Sequence, residues 1–242
     1  GSDAANGAIV ITSERGKAGS GGLEYSNSFK LASVSTRPEI QRVYEPNGVG
    51  SATFLYWGGP YADTTRFYDN VDGFFRTALT QQHNLAFSGA TGDARISYRL
   101  SGAYLDQQGV IPGTELQRVN LTGSTSAQVK DWLKTDLVMQ YINTDNSQGF
   151  KGANGPLIGL LVWPQNDDAK NYLTPAGTRR KITSLSEAAE LDNPYFSSAK
   201  NTNNSENNRV ITNLGLTISP FSWGNLRTNL GVDNYTNSLE IV

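Results

Sequence analysis

Residues 95–104 read Arg-Ile-Ser-Tyr-Arg-Leu-Ser-Gly-Ala-Tyr, and the alternation in this stretch decides the fold. In an extended chain, Ile96, Tyr98 and Leu100 fall on one side, whereas Ser97 and Arg99 fall on the other. A period of two over this length predicts a β-strand with one apolar face and one polar face.

The same alternation recurs along the chain and predicts about seven antiparallel strands. The clearest further segments are Val119–Leu121, Leu133–Tyr141, Leu214–Ile218 and Leu226–Val232, and weaker ones are Leu23–Leu31 and Asn84–Gly89. We expect one common face to carry Ile96, Leu100, Leu121, Leu137, Leu216 and Leu230. The fold class indicated is all-β, an up-and-down antiparallel sheet.

The predicted connections alternate between short and long. Tight turns are expected at 90–93, 127–131 and 219–225, a medium loop at Asp106–Glu115, and very long loops at Arg37–Gln81 and Asn143–Asn208. Short turns at one end and long loops at the other are typical of transmembrane β-barrels. Within the long loops, Ser184–Leu191 and Pro38–Tyr44 are candidate short helices.

Composition narrows the function classes. The 242 residues are 37% hydrophobic and 17% charged, with a net charge of −2 and no cysteine. No window approaches 18 consecutive apolar residues, which argues against a transmembrane helix. The charge gives no sign of nucleic-acid binding, and the lack of cysteine excludes disulfides, thiolate metal sites and cysteine catalysis.

The first residues add a second signal. Residues 1–12 read Gly-Ser-Asp-Ala-Ala-Asn-Gly-Ala-Ile-Val-Ile-Thr, and Glu14-Arg15-Gly16-Lys17 follows them. This small-residue turn, short apolar strand and basic, glycine-containing exit closely resemble the last plug strand of SusC/RagA-like TonB-dependent outer-membrane transporters. The glycine-rich Gly19–Gly22 resembles the hinge between plug and barrel.

Further elements of that resemblance follow in order along nearly the whole chain. They are Pro38–Tyr44, Gln82–Leu85 with Ser88-Gly89, Tyr98–Tyr104 with Gln108-Gly109, Asn171–Leu173, Asn193–Tyr195, and Asn208–Val210 leading to Asn213. Each element is common by itself, whereas the ordered set is specific.

The resemblance implies two regions: residues 1–19 as the C-terminal end of a plug domain, and residues 20–242 as the first strands of a large transmembrane β-barrel with long extracellular loops. It implies a cell outer-membrane location and import of a glycan or a peptide. A SusD-like surface lipoprotein would be the partner, outer-membrane lipid would surround the barrel, and TonB would contact plug residues outside this chain. About seven strands cannot close such a barrel, so we expect a fragment.

No catalytic residue, metal site or cofactor is expected. His83 is the only histidine, and no G-x-S-x-G nucleophile elbow accompanies it. The pair Asp167-Asp168 lies outside any calcium-loop pattern, and the glycines near Gly21 precede no phosphate-loop lysine. We therefore predict a structural or surface role for His83 and turn or cap roles for the loop carboxylates.

Aromatic residues are the candidate binding groups. Those in the long loops are Tyr56, Trp57, Trp163, Tyr172 and Tyr195. Such rings can stack on sugars or anchor a partner protein, or they can hold their own loops together, and both readings stay open. A second set forms two membrane-boundary belts or packs in the ordinary way within the sheet: Trp132, Trp223, Tyr104, Tyr141 and Tyr235. Tyr235 is out of phase with its strand, so it needs a bulge or an inward role.

Two other classes remain as alternatives. A soluble β-sandwich carbohydrate-binding module would also show alternating strands and loop aromatics. A β-rich glycoside hydrolase would need a pair of carboxylates that activity depends on.

Overall fold

The computed structural model describes residues 21–47, 57–152, 155–183 and 190–242. The proposed end of the plug, residues 1–19, lies outside the described residues, as does Tyr56. Neither of the two helices in the described part is long and apolar enough to cross a membrane.

Seven long strands form one antiparallel sheet. They are β1 (Gly22–Ala32), β2 (Ala78–Ala90), β3 (Ile96–Gln108), β4 (Glu115–Lys130), β5 (Leu133–Gln148), β8 (Asn203–Phe221) and β9 (Gly224–Ile241). Each pairs with the next one in this order, from β1 at one edge to β9 at the other. The predicted up-and-down sheet is confirmed. The strands lie in one sheet and not in the two packed sheets that a β-sandwich requires.

Cross-strand pairing fixes which side chains share a face, because directly paired residues point to the same side of a sheet. One row across the sheet contains Leu23, Phe87, Leu100, Gly123, Met139, Thr212 and Val232. The six residues expected to share a face, from Ile96 to Leu230, all belong to this side of the sheet. We call it the apolar face, and its side chains are largely exposed, with Leu100 at 58%.

The opposite side, the polar face, is rich in charged and amide side chains. Arg99 pairs there with Glu24 across two strands, and Arg209 pairs with Asp233. Tyr235 is the direct partner of Arg209 in an unbroken register, so its ring lies on the polar face. The register has no bulge at Tyr235, and its ring lies on the side expected for an inward role, whereas Tyr104 and Tyr141 lie on the apolar face.

His83 lies half-buried on the apolar face between aromatic neighbours. Its Nδ1 is 2.7 Å from the Tyr25 hydroxyl, and the Phe29 ring meets it edge-on at 5.7 Å between centroids. The contacts made by this histidine are those of a side chain that stabilises the pairing of β1 with β2.

The connections follow the predicted alternation, with corrected bounds. The turns between β2 and β3, β4 and β5, and β8 and β9 are short, and the last two span only Asp131-Trp132 and Ser222-Trp223. The longest connection begins after Gln148 and not at Asn143, and it ends before Asn203. Strands β5 and β8 thus continue past the apolar residues that marked them in the sequence.

Inside the longest connection lie α1 (Pro156–Val162), β6 (Lys181–Thr183), β7 (Glu190–Asp192) and α2 (Pro194–Lys200). The candidate helix at Ser184–Leu191 is wrong at its described end, because Glu190 and Leu191 pair in an extended conformation with β6; residues 184–189 lie outside the described part.

The second candidate helix, Pro38–Tyr44, is also wrong. The Gln41 side chain accepts hydrogen bonds from the backbone N–H groups of Val43 and Tyr44, and Tyr44 forms a bridge with Pro60. These contacts satisfy the backbone locally in a turn and a short ribbon, which removes the need for helical hydrogen bonds.

Candidate functional site: the loop cap

Three connections meet at one end of the sheet: residues 33–77, 109–114 and 149–202. We call their described residues the loop cap. Arg76 ties two of them together, since its Nε donates to the Gly109 carbonyl at 2.9 Å and its Nη2 donates to the Thr114 carbonyl at 3.0 Å. The Ser198 hydroxyl donates to the Pro112 carbonyl, which attaches the third connection. The loops therefore form one body.

Asn70 is the central clasp between the two long connections. Its buried amide donates from Nδ2 to the Asp167 carbonyl at 2.9 Å, and its Oδ1 accepts from the Ala169 backbone N–H at 3.0 Å. Nearby, the Tyr68 N–H donates to the Gln165 carbonyl at 2.9 Å. One short side chain thus satisfies backbone groups that lie nearly one hundred residues away in the chain.

Two apolar clusters fill the loop cap. In the first, Val71 and Phe74 of the first connection pack on Leu160 of α1. In the second, Trp163 packs with Ala169 and Ile182. Most of the buried hydrophobic residues that the structure describes belong to these two clusters, so the loop cap has a core of its own.

Trp163 is 1% exposed. Its indole Nε1 donates to the Asp167 carboxylate at 3.0 Å, and the Arg180 guanidinium lies 5.7 Å from the ring centroid. Arg180 also forms an ion pair with Asp167. These contacts support the reading in which the ring holds its own loop together; a binding role for Trp163 stays a prediction.

Tyr195 is half-buried and contacts both clusters, and its ring meets Phe74 edge-on at 5.2 Å between centroids. Its hydroxyl is buried and has no hydrogen-bond partner among the described residues. Burial, followed by the nearby Asp168 and Asp69 carboxylates, raises the pKa of Tyr195 to about 12. The ring therefore stays neutral at physiological pH.

Trp57 and Tyr172 present more surface. Trp57 is 76% exposed, has a positive φ of 79° and lies 5.7 Å from the Tyr44 ring. Tyr172 is half-buried beside the Phe196 ring of α2, 6.3 Å away. A bulky residue in the left-handed region is strained, and such strain concentrates at functional positions. Of the four described candidates, Trp163 and Tyr195 meet in one apolar cluster, to which Trp57 and Tyr172 do not belong.

Charged groups are paired on the β6–β7 hairpin. Arg179 bridges Glu190 and Asp192, and Lys181 also pairs with Glu190. The hydrogen bond from Lys181 is the main cause of a lowered pKa for the Glu190 carboxyl. Across the residues that the structure describes, no group of three or more His, Asp or Glu side chains is placed to hold a metal ion.

Sequence reasoning missed Asn70, α1 and α2. The two helices have a usable local signal, because each begins with proline at its first position, in Gly155-Pro156 and Asn193-Pro194. Asn193 caps α2 by accepting from the N–H groups of Tyr195 and Phe196. Asn70 has no such signal, since its partners are distant in sequence.

Comparisons with known proteins agree with this geometry. No protein-family model matches the chain. The chain is 27% identical over 216 residues to the TonB-dependent receptor SusC of Bacteroides thetaiotaomicron, which covers 86% of the chain and 20% of the relative. It is 23% identical over 242 residues to the TonB-dependent receptor P26 of Formosa agariphila, covering 96% of the chain and 23% of the relative.

Solved structures show the same fold. The RagAB peptide importer in its closed-closed state matches with a TM-score of 0.65 at 17% identity, over 93% of this chain and 29% of that one. Its open-open state matches with a TM-score of 0.63 at 18% identity, over the same shares.

The chain is SusC/RagA-like. This SusC/RagA-like segment spans about a fifth of the length of the curated relatives that it matches. Its sheet is similar in fold to a part of those longer chains and is open at both edges, β1 and β9, within the described residues.

Proposed function

We propose that the chain forms part of the wall and outer loops of a TonB-dependent importer in the outer membrane. Residues 1–19 would be the end of the plug, and residues 20–242 the first barrel strands. One observation carries the proposal: a seven-stranded meander has one exposed apolar face and a polar opposite face, and its long connections all lie at one end. Lipid on the apolar face explains that exposure.

The extent of the apolar face fits a bilayer. On β5 its apolar series runs from Leu133 to Tyr141, which is about 26 Å along the strand at a rise of about 3.3 Å per residue. The usual tilt of barrel strands shortens this to roughly 20 Å along the membrane normal, close to the apolar band of about 25 Å in known barrels. Trp132 and Trp223 lie in the short turns at one end of the sheet and are exposed, as expected for rings at a lipid–water boundary.

The loop cap would face the cell exterior and meet both cargo and a SusD-like surface lipoprotein. The cargo would be a glycan or a peptide, and TonB would act through the plug. Exposed Trp57, half-buried Tyr172 and neighbouring Tyr56 are the proposed contact residues. Trp163 and Tyr195 would contribute by keeping the loop cap ordered. The proposed role is transport without a chemical change in the cargo.

Uptake by the full-length receptor tests this proposal. We expect deletion of its gene to abolish growth of the source bacterium on one class of glycan or peptide as sole nutrient, with the gene in trans restoring it. Inactivation of TonB or of the adjacent lipoprotein gene should give the same loss. Unchanged growth on all nutrients after loss of TonB would overturn the proposal.

Surface labelling tests the orientation independently. Gly177 and Gly92 occupy turns at opposite ends of the sheet, and neither has a neighbouring atom within 4 Å of an added Cβ, so both positions have room for an inserted epitope. On intact cells we expect antibody to label the tag at Gly177 and not the tag at Gly92. The reverse pattern would contradict the proposed topology.

A further inference from the structure

A cavity of about 660 Å³ opens where the loop cap meets the sheet. Its floor is a row of three side chains on neighbouring strands, Gln107 of β3, Leu116 of β4 and Asn146 of β5. The roof is the exposed side of α1, and the volume lies within the range of small-ligand sites. Because the floor residues lie on the polar face, the cavity opens toward the interior of the proposed barrel.

The polar groups of this cavity are available to a ligand. Gln107, Asn146 and Gln148 line it, and within the described part of the chain their side-chain amides form no hydrogen bond. Each amide offers a donor and an acceptor on one short arm. That combination matches the alternating N–H and C=O groups of a peptide backbone.

The roof of the cavity is aliphatic. Helix α1 buries Leu160 in the loop cap core but leaves Leu157 and Ile158 at 43% and 42% exposed. Both of these side chains line the cavity, together with Ile111. Two neighbouring branched side chains thus line the same cavity as three amides that are unpaired among the described residues.

We propose that this cavity binds a cargo peptide. An aliphatic side chain of the peptide packs against α1, and the amides of Gln107, Asn146 and Gln148 hold the adjacent peptide backbone. The inference rests on the proposed import function and narrows its cargo from glycan or peptide to peptide. Transfer of an aliphatic side chain from water to the apolar surface of α1 lowers the free energy of the complex. A sugar could use the same amides, but it has no branched aliphatic group to place against Leu157 and Ile158, so this apolar surface favours a peptide.

A second concavity of about 680 Å³ does not compete for this role. It lies on the apolar face over Gly102 and Gly123, between Leu100 and Leu121. That side of the sheet meets lipid in the proposed barrel, so a cargo in transit does not reach it.

The test uses the purified full-length receptor with its lipoprotein partner in detergent. Three ligand pools are compared: tetrapeptides that contain Leu, Ile or Val, matched tetrapeptides that contain Ser, Thr or Asp, and neutral oligosaccharides. The variant Ile158→Asn places a polar group in the roof. Leu173→Asn is the control, because Leu173 is equally exposed at 42% and lies in the same connection outside the cavity.

We expect the aliphatic peptides to bind best, and Ile158→Asn to weaken their binding about tenfold. Leu173→Asn should stay within about twofold of the unmodified receptor, and Gln148→Ala should weaken all peptides about threefold without changing their order. Heat-modifiability on a gel confirms that the barrel of each variant is folded, and unchanged protease resistance confirms the same for the loop cap.

Binding of oligosaccharides alone, or equal effects of Ile158→Asn and Leu173→Asn, would overturn the peptide site. TonB-dependent uptake of glycans would then still support the importer. Failure of the proposed import function would show in a different experiment, as growth that does not depend on TonB.

Discussion

Leu100 in the sheet and Trp163 in the loop cap are both large apolar side chains, yet the first is 58% exposed and the second is 1% exposed. The sheet is held together by backbone pairing and presents its apolar face outward, whereas the loop cap packs its apolar side chains on one another. The difference shows that the loop cap has its own source of stability. The sheet needs a second apolar phase, which lipid supplies in the proposed barrel.

Among the proposed substitutions, Trp163→Ala should have the largest effect, which is a loss of stability of the loop cap. Removing a fully buried indole from a packed cluster costs about 3–5 kcal/mol, and it also leaves the Arg180–Asp167 pair without its aromatic neighbour. We expect rapid protease cleavage within residues 155–183 of the full-length receptor, with the barrel still heat-modifiable. Trp57→Ala is the matched control, because an exposed ring contributes little to packing. Equal protease resistance of both variants would contradict a self-packed loop cap.

Leu100→Arg tests the sheet in the same way. An arginine on the lipid face near the membrane midplane costs about 2–4 kcal/mol, whereas Ser101→Arg places the same charge on the polar face. We expect Leu100→Arg to reduce the amount of folded receptor in the outer membrane, measured by heat-modifiability, and Ser101→Arg to leave it close to normal. Similar losses for the two variants would argue against the facing assignment.

Asn70→Ala should weaken the loop cap by about 1–3 kcal/mol, because it leaves the Ala169 N–H and the Asp167 carbonyl buried without their partner. The expected result is faster hydrogen exchange across residues 164–170, with exchange in β3 and β4 unchanged. Protection that stays at the wild-type level would mean that Asn70 is not the clasp.

A glycine pair gives the smallest predicted difference. Gly113 and Gly177 have nearly equal positive φ values, 79° and 77°, so alanine costs about 1 kcal/mol of backbone strain at either position. A Cβ at Gly113 would also lie 2.6 Å from the Ser198 carbonyl oxygen, whereas one at Gly177 meets nothing within 4 Å. We expect Gly113→Ala to lower the protease resistance of the loop cap more, by about 1 kcal/mol in opening free energy. Equal effects of the two substitutions would contradict a close contact between Gly113 of the β3–β4 connection and Ser198 of α2.

The sheet was accessible from the sequence where its two faces differ in polarity. Alternation marks β3, residues 133–141 of β5 and residues 210–218 of β8. In the last two segments apolar residues occupy four of the five alternate positions, and the exceptions are Thr135 and Thr212. Beyond Tyr141, β5 carries Asn, Thr and Asp on both faces, and residues 203–209 of β8 are similarly polar. The period of two disappears there, so the sequence predicts loop where the structure has these strand ends.

The loop cap was not accessible in the same way. Its organisation depends on contacts between distant residues, such as Asn70 with Ala169 and Phe74 with Leu160, and no local pattern marks them. Trp163 lies between Val162 and Pro164 in a segment that reads as an exposed loop. The three-dimensional arrangement buries Trp163 and leaves Trp57 exposed.

In the proposed barrel the apolar face meets lipid and the polar face lines the interior. Spin labels at positions 100 and 101 test this arrangement most directly. The chain has no cysteine, so Leu100→Cys and Ser101→Cys, placed in a full-length receptor without other reactive thiols, give single attachment points. Collision rates are then measured in membranes with oxygen, which partitions into lipid, and with a water-soluble nickel complex. The account predicts that oxygen relaxes the label at position 100 and that nickel relaxes the label at position 101. The reverse preference, or the same preference at both positions, would contradict it.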